Sequence, residues 1–147
     1  MGVESTLEER QRTLSKIAET FSLADIYAFG SNAKKALSFV KGEVKSIEIP
    51  PSSDLDIGVR PKWGTYLRAK QKVELIIALE DFFNVSRVDL INLYEADPYL
   101  ALDVIRGELL YSNDPDSQAE HELFVLRRAG DLMPYKRERM RMALEGA

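Results

Sequence analysis

Cysteine is absent from the 147 residues, which excludes disulfides, thiolate metal sites and a cysteine nucleophile. Histidine is nearly so: His121 stands alone, and a zinc centre would lack its usual nitrogen and sulfur ligands. No apolar run approaches the length of a membrane span, and Met1 to Ser5 lacks the basic and apolar regions of a signal peptide. The expectation is a cytoplasmic protein with no membrane partner. Internal repeats and low-complexity segments are also missing. A formal charge of −4 argues against a general nucleic-acid binder. That charge is unevenly spread, because Arg127 to Arg141 carries a local balance of +4 and leaves −8 for the remainder.

What is present is an ordinary globular composition, 45% hydrophobic and 30% charged, in a chain long enough to bury a core. Within it one stretch stands out, Asp25 to Asp56. It opens with a short apolar strand, Asp25 to Phe29, that ends in the Gly30-Ser31 turn. It closes with a strand over Ser53 to Val59, in which Leu55, Ile57 and Val59 alternate with Asp54, Asp56 and Gly58. A period of two puts both carboxylates on one face. Aspartate is depleted in strands and two together repel. Spaced about 6 to 7 Å along a strand they suit a shared hard divalent cation. The other reading is a turn, Pro50 to Asp54, that Asp54 caps.

The order of elements follows from periodicity and punctuation. Ser5-Thr6-Leu7-Glu8 fits a capping box, and a first helix is expected over about Thr6 to Thr20. After Ser31, Ala33, Ala36, Leu37 and Val40 mark a second helix that Gly42 ends. A Gly-Ser turn feeding a helix is a phosphate cradle in principle, or else a plain turn with Ser31 as N-cap. Glu43 to Ile49 is ambiguous, with Ile47 and Ile49 suggesting a strand. Thr65 can cap a long helix with Leu67, Val73, Ile76, Ile77 and Phe83 as its apolar positions, closed by Asn84.

A third strand spans Ser86 to Leu93, where Asp89 between Val88 and Leu90 is costly unless paired. Arg87 could pair with it, or, if this strand lies beside that of Asp54, it joins the first two acids. Asp97-Pro98 opens a helix to Arg106, Glu108 to Tyr111 reads as a strand, and Ser112 to Ser117 as a loop. Two tail helices are expected, Ser117 to Ala129 and, after Pro134, another to Leu144, with Leu123, Leu126, Leu132, Met133, Met140 and Leu144 as a stripe for the parent domain or an interface. The organisation expected is a core over 1–112 and a helical extension over 113–147 that packs on the core or a partner.

Gly30-Ser31, Ser53-Asp54-Leu55-Asp56 and Val88-Asp89-Leu90, in that order, resemble the signature of the DNA-polymerase-β-like nucleotidyltransferases, specifically the minimal MNT class. Pro98 to Tyr111 continues the resemblance, and the tail with Arg127 to Leu132 and Pro134 is similar to MNT antitoxins paired with HEPN ribonuclease toxins. The resemblance implies an α/β (α+β) fold, a mixed sheet flanked by helices with a helical tail. It implies that Asp54, Asp56 and Asp89 are catalytic and bind Mg²⁺, two ions in the usual arrangement, and that Gly30, Ser31 and Ser53 hold ATP. In the antitoxin group AMP passes from ATP to a tyrosine of the HEPN toxin, within a stable complex.

Two departures stand beside it. Between Ser31 and Asp54 lie 22 residues, about twice the family's usual connection, and Lys34-Lys35 replaces its usual Arg-Gly. Three functions compete. They are protein adenylylation by an antitoxin, nucleotidyl transfer to a small molecule such as an aminoglycoside, and non-catalytic inhibition of a partner by contact. A homo-oligomer fits each of them.

Overall fold

The computed structural model describes residues 3–145, with the side chains of 3–4, 132–140 and 143–145 outside the description. Five helices and four strands alternate: α1 (Val3–Thr20), β1 (Leu23–Phe29), α2 (Ala33–Val40), β2 (Leu55–Pro61), α3 (Ala69–Phe83), β3 (Val88–Asn92), α4 (Pro98–Ile105), β4 (Glu108–Ser112) and α5 (Pro115–Glu145). A 3₁₀ turn, Gly30–Asn32, joins β1 to α2. The strands form one sheet in the order β3-β2-β1-β4. β1 pairs antiparallel with β2 and with β4. β2 pairs parallel with β3, as the α3 crossover requires. This is the mixed α+β architecture expected from the sequence.

Alternation along the strands divides the core between the two faces. Ile26, Ala28, Leu55, Ile57 and Val59 pack with Leu14, Ala18, Leu75, Leu79 and Phe83 from α1 and α3. Tyr27 on the opposite face packs with Leu102 and Val104 of α4 and with Val125 and Ala129 of α5. Gly58 lets α4 sit down on the sheet, because a Cβ there would collide with Val104. Asp97 caps α4 as its sequence promises, Oδ1 accepting from the amides of Tyr99 and Leu100 at 2.9 and 3.0 Å.

Several expectations change. α1 starts at Val3, so the Ser5-Thr6 box lies inside the helix. Glu43 to Ile49 forms no strand, since α2 is followed by a segment tied down through side chains. β2 begins at Leu55, leaving Asp54 one residue outside it. α3 begins at Ala69, because Thr65 closes a local turn onto the Lys62 carbonyl and the Gln71 side chain accepts from the Arg68 amide. Val73 and Ile77 face solvent while Leu75, Leu79 and Phe83 are buried. The inward face of α3 is thus the i, i+4, i+8 row, with Phe83 of the expected set on it, Ile76 packed half-buried beside it, and Val73 and Ile77 off it.

The tail is a single helix of 31 residues that runs through Pro134 and begins two residues before Ser117. A proline removes one intrahelical bond, and the 19 residues before it give α5 the length and the docking to carry the break. Among the described side chains Gln118, Val125 and Ala129 are its buried positions, whereas Leu123 and Leu126 are exposed. Those two residues therefore do not form a stripe against the parent domain. Leu132, Met133, Met140 and Leu144 lie outside the described side chains.

Candidate active site

Three strand ends bring the predicted acids together. In the parallel β2–β3 pair Asp56 stands opposite Asp89, and across the antiparallel pair Asp56 stands opposite Phe29, the residue before Gly30. Neighbouring strands are about 4.8 Å apart, so Asp56 and Asp89 present their carboxylates side by side on the α4 face. The Asp56 carboxyl is held above its ordinary range, first by burial, then by the charge of Asp89 and then by that of Asp54. All three acids therefore act on one small region. Asp89 is exposed, which removes the burial cost anticipated for it.

Gly30 closes the other side. Its φ is +76°, and a Cβ added to it would lie 2.6 Å from Oδ2 of Asp56. The turn thus needs glycine twice, for its left-handed backbone and for the space that Asp56 fills. Ser31 is exposed beside it, one residue before the buried Asn32. The side-chain amide of Asn32 donates to the Asp54 carbonyl at 3.0 Å and to the Ser53 hydroxyl at 3.3 Å. One buried amide therefore locks the Gly-Ser turn to the segment that carries Ser53 and Asp54. Gly30, Ser31, Ser53, Asp54, Asp56 and Asp89 all border one site.

Of two further residues of this site, the sequence reading missed one and gave the other a different partner. Asn32 is one, although a polar residue at the buried mouth of a helix is a legible signal. Arg87 is the other: its Nε lies 3.3 Å from Oδ1 of Asp54, so it pairs with the first acid rather than with Asp89.

Among the described residues no group of three acids or imidazoles is drawn together as a metal cage. The arrangement accounts for that. Asp54 pairs with the guanidinium of Arg87 at the edge of the other two acids. The donor set nonetheless fits a hard cation: it is all oxygen, anionic and reachable from solvent, the kind of ligand that Mg²⁺ takes. Lys34 and Lys35 are exposed on the first turn of α2.

At the far end of the same sheet face lies a second polar cluster of a different kind. Asp25 is fully buried and its Oδ2 accepts from Arg60 Nε at 2.6 Å. Arg60 also reaches the Ser117 hydroxyl at 3.1 Å. Gln118 donates to the Tyr27 hydroxyl at 2.8 Å, and that hydroxyl lies 3.4 Å from Glu122. Burial pushes the Tyr27 phenol well above its usual range. His121 is pushed down to about 4, by burial first and the charge of Arg60 second, and its Nδ1 is buried without a partner among the described residues. These groups fasten α5 to the sheet and are remote from the carboxylates along β1 and β2.

Fold and site together define a nucleotidyl-transfer centre. A family model described as polymerase beta, nucleotidyltransferase, matches residues 12–116, and the chain belongs to that family. It is therefore a nucleotidyltransferase, as its motifs suggested. No curated protein matches the chain.

Among solved structures, a chain of a toxin-antitoxin crystal structure with AMP-PNP is similar at 22% identity, over 92% of this chain and 96% of that one, with a TM-score of 0.61. A chain from the complex of a tri-AMPylated Shewanella oneidensis HEPN toxin with an MNT antitoxin is 21% identical, over 95% and 97%, with a TM-score of 0.58. A chain of the MntA-HepT toxin-antitoxin gives 20%, 94%, 97% and 0.58. At these identities the likeness is one of fold.

Proposed function

We propose that the protein is a Mg²⁺-dependent adenylyltransferase that moves AMP from ATP to a protein hydroxyl, a tyrosine of a HEPN-type toxin, and so acts as its antitoxin in the cytoplasm. The observation that carries this reading is the cross-strand pairing of Asp56 with Asp89, beside a glycine turn with no room for a Cβ. Asp54, Asp56 and Asp89 would hold the metal, which supplies neutralising charge for the entering and leaving oxygens.

The chain's own residues do the rest. The Gly30-Ser31 turn, with Ser53 next to it, orients the triphosphate so that the α-phosphorus faces the acids. Asp89, the exposed member, accepts the proton of the attacking hydroxyl. The hydroxyl oxygen forms a bond to the α-phosphorus, the bond from that phosphorus to the bridging oxygen breaks, and pyrophosphate leaves. Residues 1–112 form the catalytic core in this reading, and 113–147 an extension whose exposed Leu123, Phe124 and Leu126 are free for a partner. Support for the toxin as acceptor comes from the fold shared with antitoxin complexes.

The test is incubation with Mg²⁺ and ATP labelled at the α-phosphate in host lysate, beside the Asp54→Asn/Asp56→Asn double variant. Label on a protein band with the wild type alone supports the reading, and the band identifies the acceptor. Label confined to small molecules favours that class of acceptor. Silencing of the toxin by both proteins without label means inhibition by contact.

A further inference from the structure

The long connection between α2 and β2 forms a wall. Arg10 of α1 fastens its start, donating to the carbonyls of Phe39, Val44 and Lys45 at 2.5, 2.6 and 3.2 Å while its guanidinium lies 3.8 Å from the centre of the Phe39 ring. Ile47 is buried in the main core, and Lys35 Nζ donates to the Glu48 carbonyl at 2.8 Å. Between this wall and α2 lies a groove of about 1010 Å³, with Lys34, Lys35 and Ser38 on one side and Val44, Ile49 and Pro50 on the other. A smaller depression behind Ile49 and Pro50 is bordered by Arg87.

The groove has the properties of a peptide site. Lys34 follows Ser31 by three residues, so the groove opens within one helical turn of the Gly-Ser turn. Ile49 and Pro50 each precede a proline and are held extended. Among the described residues, the amides of Ser46, Ile47, Glu48 and Ile49 donate to nothing, which leaves backbone groups available to another extended chain. Among the groove's lining residues Lys34 and Lys35 outnumber the one acid, Glu48, in a protein whose net charge is −4. An apolar wall opposite a basic one matches a strand whose alternate side chains are apolar and acidic.

We propose that this groove binds an extended, acidic segment of the protein acceptor, its backbone along Ser46 to Ile49 and its carboxylates on Lys34 and Lys35, and so guides the reactive hydroxyl to the carboxylate site. The inference rests on the protein-acceptor reading above and names where that acceptor is held.

The experiment is fluorescence anisotropy of the full chain with a labelled peptide of alternating glutamate and valine, at low salt and without nucleotide or metal. Binding that falls at least about tenfold in Lys34→Glu, falls with salt, and weakens when alternate peptide bonds are replaced by esters, whose carbonyls are poorer acceptors, supports the groove. Lys34 is exposed, and circular dichroism of the variant checks that the fold is kept. Equal binding by wild type and Lys34→Glu, equal binding of a lysine-valine peptide, or full displacement of the peptide by inorganic triphosphate overturns it. Because no catalysis enters the measurement, its failure is separate from failure of adenylyl transfer.

Discussion

Alanine at Gly30 and alanine at Gly64 impose the same backbone strain on different surroundings. Both glycines have left-handed φ, +76° and +80°, but Gly64 has nothing within 4 Å of its would-be Cβ, whereas at Gly30 that atom would meet Oδ2 of Asp56 at 2.6 Å. Strain alone costs about 1–2 kcal/mol at either position. Restoring ordinary contact at Gly30 moves the Asp56 carboxylate a further distance of about 1 Å. A misplacement of that size costs about a hundredfold in rate. Urea denaturation should find both variants destabilised by about 1–2 kcal/mol. Single-turnover AMP transfer should find Gly64→Ala within about twofold of wild type and Gly30→Ala reduced about a hundredfold. Equal rates for the two variants, or a Gly30→Ala enzyme at more than half the wild-type rate, would refute the role given to this contact.

His121, whose folded-state pKa is lowered from 6.5 to about 4, binds a proton more readily in the unfolded chain. Stability contributed by the neutral ring is therefore present above pH 6.5 and is lost as pH falls toward 4. Partial exposure limits the loss to about 2 kcal/mol at most. His121→Phe should flatten that stretch of a Tm-against-pH curve relative to wild type, and an unchanged slope would contradict the assignment.

Asp56 shifts the other way, so the metal-free fold loses stability as pH rises from the ordinary carboxyl value through the raised one. Asp56→Asn should raise the Tm of the metal-free protein at neutral pH by the equivalent of less than about 1 kcal/mol, the site being open to solvent. A lower Tm would count against mutual repulsion. Asp25→Asn leaves buried Arg60 without its charge partner and should cost about 3–5 kcal/mol by urea denaturation. On α5, Val125→Ala should destabilise by about 1–3 kcal/mol while Leu123→Ala stays within about 0.5 kcal/mol, a contrast that vanishes if the exposed row packs on the core.

Where the sequence was legible, a local rule and the tertiary environment agreed. The period of two in β2 placed Asp56 correctly, and the capped Asp97-Pro98 opening fixed the start of α4 to the residue. Legibility failed where distant contacts decide. Glu43 to Ile49 looks strand-like through Ile47 and Ile49, but its carbonyls are taken by Arg10, more than thirty positions away in the chain, and by Lys35. α3 carries apolar residues on two faces, and nothing local tells which one the sheet will cover. Pro134 reads as a break because a proline costs a helix one bond, yet α5 continues. The Asp54–Arg87 and Asp25–Arg60 pairs join residues 33 and 35 positions apart, beyond the reach of any local pattern.

The two polar clusters on one sheet face make the functional distinction physical. Asp25 and Asp56 both project from neighbouring strands toward the layer of α4 and α5. Opposite Asp25 in the ladder stands Arg60, and the pair is closed off by Ser117 of α5. Opposite Asp56 stand Phe29 and another acid, Asp89. A fold selected for stability alone would repeat the first solution, since a buried carboxylate with its own guanidinium costs less than two that repel. The second solution leaves charge uncompensated, open to solvent and next to a turn stripped of its Cβ. In the proposed function such a site would lower its energy by taking up what the chain does not provide, a cation and the phosphates that travel with it. The same sheet thus spends one acid on holding α5 and leaves the others without a counter-charge, as the proposed function requires, and the residue facing each across the ladder decides which.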